Sequence, residues 1–114
     1  MCINMNDDEI FYDAAQSVKD AASDIRGVLE YMDEHASNIP YGIMEDLIAN
    51  LQDAQNVLPD DAPGVPQWKG MTNRVLRNAT TLNDNAHRFD EHMRRDRAKE
   101  IANKIDYLFA KMVG

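Results

Sequence analysis

Apolar positions recur at helical spacing along nearly the whole chain. Phe11, Val18, Ile25 and Met32 stand seven apart, with Ala14/Ala15, Ala21/Ala22 and Val28/Leu29 between them. This i, i+3, i+4, i+7 pattern belongs to a helix with one buried face. Asn6 or Asp7 is placed to cap it, and the acids at 7–9 suit the positive end of its dipole. Residues 1–6 then read as a flexible tail. Pro40 disfavours helical geometry at Ile39, so the first helix is predicted to stop before it. Ile43, Leu47, Leu51, Ala54 and Leu58 define a second amphipathic helix.

Pro59, Pro63, Gly64 and Pro66 mark a loop over 59–67. A third helix follows, with Met71, Val75, Ala79, Leu82, Ala86, Phe89 and Met93 on one face. The last apolar set, Ile101, Ile105, Leu108 and Met112, is rotated by roughly 100° on a helical wheel from that face. Arg94 to Glu100 between them is polar and lacks Gly or Pro, and a break or kink is predicted near 94–98. Strand-like alternation is absent. The expected architecture is all-α: a three- or four-helix antiparallel bundle with a Pro-rich loop between helices 2 and 3, one domain over 1–114.

Charge changes the picture, because it is unevenly placed. Residues 1–61 hold fourteen Asp/Glu against Lys19 and Arg26, a balance of −12, whereas 62–114 hold six acids against ten bases, a balance of +4. The whole chain is therefore −8. No apolar run approaches the roughly 20 residues of a transmembrane helix. The acidic start lacks the pattern of a secretory signal, and the lone Cys2 makes no internal disulfide. A cytoplasmic setting without membrane contact is the expectation.

Two charged stripes follow from the periodicity. Glu9, Asp13, Asp20, Asp24, Glu30 and Glu34 lie opposite the apolar face of the first helix. At about 1.5 Å per residue this row runs roughly 37 Å, with carboxylates four apart separated by about 6 Å. A regular row of anions on a rigid helix resembles a phosphate backbone and suits a basic groove. The outer face of a soluble helix is ordinarily charged, but usually with both signs mixed. On the third helix the polar side carries Arg74, Arg77, Arg88, His92 and Arg95, continuing into Arg97 and Lys99. The strongly acidic whole argues against direct nucleic-acid binding. Pairing with the acidic helices, within the chain or across a homodimer, is the expected use of these bases.

Asp84, His87, Glu91 and His92 could share a helix face, as ligands of a di-iron bundle do. A complete site needs a second pair, and Glu34-His35 has the wrong spacing, so no metal and no cofactor is expected. His87-Arg88 superficially resembles a histidine phosphotransfer site, but Asp90 and Glu91 beside it would repel a phosphoryl group. No phosphate loop, zinc pair or Ser/His/Asp set is recognisable, and no enzymatic activity is expected.

Trp68-Lys69-Gly70 lies at the end of the loop, directly before a helix. This resembles the WXG100 family of small secreted helical hairpins, whose Trp-x-Gly marks the interhelical turn. The resemblance implies an acidic dimer exported without a cleaved signal peptide. Two family features are unmatched: Pro40-Tyr41-Gly42 splits the preceding segment, and Lys111 stands four after Tyr107, where the secretion signal has an acid. Read from the residues alone, Trp68 anchors the core beneath the loop and Gly70 permits the turn.

These features favour a non-enzymatic protein-binding module. The concrete expectation is a small acidic inhibitor or regulator, of phage, mobile-element or immunity type. Its carboxylate stripe would meet a basic nucleic-acid-binding or nuclease surface on a protein partner.

Overall fold

The computed structural model describes residues 9–113. It contains four helices, α1 (Glu9–Glu34), α2 (Tyr41–Val57), α3 (Val65–Asn85) and α4 (Glu91–Val113), with a 3-10 turn, Ala86–Arg88, before α4. Each helix packs against its chain neighbours, and α4 closes the ring against α1. Cross-helix contacts fix the directions. Asp24 meets Asn50 while Gly27 approaches Ile43, and Asp33 meets Arg95 while Arg26 meets Asp106. In both pairs of helices one number rises as the other falls, so the neighbours are antiparallel. The result is an up-down-up-down bundle measuring 43 × 20 × 20 Å.

The core follows the apolar spacing. Phe11, Val18, Ile25 and Met32 of α1 are buried together with the alanines between them. Met44, Leu47, Leu51 and Ala54 come from α2, Val75, Ala79 and Leu82 from α3, and Ile101, Ile105, Leu108 and Met112 from α4. The alanines matter as much as the larger residues. Ala14, Ala21 and Ala54 are fully buried and let the helix axes approach closely. Trp68 is wholly buried, and its indole N–H reaches α4.

Three boundaries differ from those expected. The α2–α3 connection is shorter than 59–67, because Pro66 and Gln67 already belong to α3. Proline suits a first helical turn, where its missing N–H leaves no bond unmade. Trp68, Lys69 and Gly70 also lie within that helix, so the Trp-x-Gly segment is not the turn of a hairpin.

The segment after residue 71 is two helices, and the break falls at 86–90 rather than 94–98. Asn83, Asp84 and Asn85 are weak helix formers whose side chains compete for backbone hydrogen bonds. Asp90 then restarts the chain by accepting the Met93 amide at 2.8 Å, an N-cap contact. Phe89 is accordingly half-buried and Met93 exposed, neither of them on the buried face of α3. Leu58 lies just past the end of α2 but remains buried. The predicted caps Asn6 and Asp7, the 1–6 tail and Cys2 lie outside the described residues.

Candidate functional site

Closing the bundle in chain order sets α1 and α2 on one side and α3 and α4 on the other. Charge sorts the same way. Between Glu9 and Glu34 α1 holds seven acids and two bases, and α2 holds Glu45, Asp46 and Asp53 with no base. Lys69, Arg74 and Arg77 outweigh Asp84 in α3, and six bases outweigh four acids in α4. The bundle is thus negative along one broad side and positive along the other.

Pairing between the two sides is sparse. Asp33 of α1 binds Arg95 of α4. Arg26 approaches Asp106 at 3.8 Å, both well exposed, and Lys69 meets Asp60 at 2.7 Å. Glu9, Asp13, Asp20, Glu30 and Glu34 are exposed and Asp24 is half-buried. Among the described residues no basic group ion-pairs with any of these six.

The most developed part of this side is a shallow groove of about 350 Å³ between α1 and α2. Asp20, Ser23 and Asp24 line it from α1, and Asp46, Ala49 and Asn50 from α2. Antiparallel packing brings Asp46 opposite Asp24, whose carboxylate accepts the Asn50 amide at 2.8 Å. Asp20 accepts Gln16 Nε2 at 2.9 Å along its own helix. Burial raises the Asp24 pKa above its ordinary value. The Asn50 hydrogen bond opposes that rise, and the charges of Asp46 and Asp20 reinforce it. Among the described residues three carboxylates therefore line the groove and no cation does, a repulsion that a basic ligand would relieve.

Asp46 and Asn50 are what the single-helix reading missed. They belong to α2 and join the surface only through packing. Their own spacing carried a signal, because Asp46, Asn50 and Asp53 at i, i+4 and i+7 share one face of α2. Glu30 and Glu34 do not line the groove.

The four arginines read as one basic face are separated. Arg74 and Arg77 are exposed on α3, and Arg88 is exposed in the 3-10 turn. Arg95 is on α4 and turns inward, pairing with Asp33 and reaching the Ser37 hydroxyl at 3.3 Å. Arg97 caps the Phe89 ring at 4.4 Å instead of extending the row. The break at 86–90 also divides the Asp84, His87, Glu91 and His92 set. No group of three or more potential ligands is arranged for a metal among the described residues.

Among the described residues no helix is long and apolar enough to cross a membrane. No protein-family model, curated protein or solved structure matches the chain.

Proposed function

We propose that this chain is a non-enzymatic protein-binding module, an acidic inhibitor or regulator that docks the α1/α2 side onto a basic protein surface. A nucleic-acid-binding or nuclease groove has the required chemistry, because it is built to hold a row of anions. One observation supports this above the rest: Asp20, Asp24 and Asp46 converge in a groove whose lining, among the described residues, holds no cation. Glu9, Asp13, Glu30 and Glu34 extend the negative potential along α1 and would serve steering more than contact.

The test compares the parent chain with an Asp20→Lys, Asp24→Lys, Asp46→Lys variant as bait in a bacterial lysate. Washes at low and then high salt are analysed by mass spectrometry. Nucleic-acid-binding proteins retained by the parent, released by salt and lost by the variant are the expected result. Equal recovery by both baits, or no recovery by either, refutes the reading.

A further inference from the structure

Beside the two loops at one end of the bundle, 35–40 and 86–90, lies a half-open cavity of about 240 Å³ lined by Asn38, Ile39, Tyr41, Ala86, His87 and Arg94. Its lining holds a guanidinium and an imidazole and no carboxylate.

Arg94 is the key group. Its Nε donates to the Ser37 carbonyl at 2.8 Å and its Nη1 to the Phe89 carbonyl at 2.5 Å. Both acceptors are neutral, and no carboxylate of the described residues ion-pairs with it. Two of the five guanidinium N–H donors are therefore occupied, which leaves three in a fixed orientation. Arg95, the next residue, has its charge met by Asp33. Arg94 is a half-buried cation held in place by two loops with its charge uncompensated. A held, planar donor fork of this kind suits bidentate contact with a carboxylate or phosphate.

Asp90, which the sequence sets close to His87, does not line the cavity, because its carboxylate accepts the Met93 amide as the α4 cap. The rest of the wall divides by polarity. Asn38 offers an amide, while buried Ile39 and Ala86 and the Tyr41 ring offer apolar surface.

We propose that this cavity binds a small organic oxyanion, a carboxylate or phosphate monoester. Arg94 and His87 meet its charged end, and Ile39 and Tyr41 flank its apolar body. The site is separate from the α1/α2 groove and does not depend on that groove's role.

The experiment is an amide-resolved NMR titration of the full chain with inorganic phosphate, phenyl phosphate and benzoate in turn. Saturable shifts at Asn38, Ile39, Tyr41, Ala86 to Phe89 and Arg94 are expected, with phenyl phosphate or benzoate binding more tightly than inorganic phosphate. Arg94→Lys keeps the charge but loses the fork, and is expected to weaken binding about tenfold. His87→Ala removes an exposed side chain, leaves folding intact, and is expected to weaken binding in the same direction. The proposal is overturned by an absence of saturable shifts with all three probes. Unchanged affinity in the His87→Ala variant overturns it equally, even if Arg94→Lys unfolds the corner.

Discussion

The indole N–H of Trp68, in the first turn of α3, donates to the carbonyl of Leu108 near the end of α4 at 3.0 Å. Both residues are buried and lie forty positions apart in sequence, so the bond ties the two basic helices together where they begin and end. Trp68→Phe keeps a buried aromatic ring but loses the donor and part of the indole volume, and is expected to destabilise by about 1–2 kcal/mol. Trp68→Ala also opens a cavity and is expected to lose about 3–5 kcal/mol. Denaturant unfolding monitored by circular dichroism separates the two. No loss in Trp68→Phe would mean that the hydrogen bond contributes nothing beyond packing.

Ala36 and Ser37 both adopt left-handed backbone conformations, with φ of 53° and 61°. A side chain there costs about 1–2 kcal/mol, and glycine carries an entropic penalty of about 0.5–1 kcal/mol. Ala36 is exposed and makes no side-chain hydrogen bond. Ala36→Gly is therefore expected to stabilise the fold by about 0.5–1 kcal/mol. Ser37→Gly should gain less, because it removes the hydroxyl that meets Arg95. Thermal midpoints of the two variants check the order.

Asp24 carries the clearest pH dependence. Its raised pKa means that the folded chain holds the proton more tightly than the unfolded chain does. Its contribution to stability is thus greatest below the unfolded aspartate pKa and is lost as pH rises through the folded value. Asp24→Asn keeps an acceptor for Asn50 and removes the charge, so it should raise the unfolding midpoint at pH 7. That gain should shrink toward zero as pH falls below the usual aspartate value of about 3.9. A gain that stays constant between pH 7 and pH 4 would contradict the assignment.

Asp90→Ala tests what divides α3 from α4. Loss of the bond to the Met93 amide is expected to destabilise by about 1 kcal/mol, the usual worth of an N-cap. Asp90→Asn should restore most of it. Amide exchange at Met93 should rise in the alanine variant only.

The helix faces were legible because burial follows spacing. Phe11, Val18, Ile25 and Met32 declared α1, and Ile101, Ile105, Leu108 and Met112 declared the rotated face of α4. The break between α3 and α4 was misplaced for a physical reason. The polar run after Arg94 contains good helix formers, whereas Asn83 to Asn85 and the Asp90 cap carry the actual stop and start signals.

The candidate groove was half visible. Asp20 and Asp24 lay on the predicted stripe, but Asp46 and Asn50 enter it through the register between α1 and α2, which single-helix periodicity does not encode. Arg95 lies on α4 and not on the third helix, because the break comes earlier than expected, but it pairs with an acidic helix as the charge pattern suggested. Asp33, one step around α1 from the acidic stripe, draws it inward.

A rod negative along one flank and positive along the other has an electric moment across its short axis, perpendicular to its 43 Å length. Such a moment feels a torque in any external field before contact is made. Near a basic surface the molecule rolls about its long axis until α1 and α2 face inward, and it arrives broadside rather than on end. Orientation is then sorted during approach, and fewer collisions are wasted on the wrong flank.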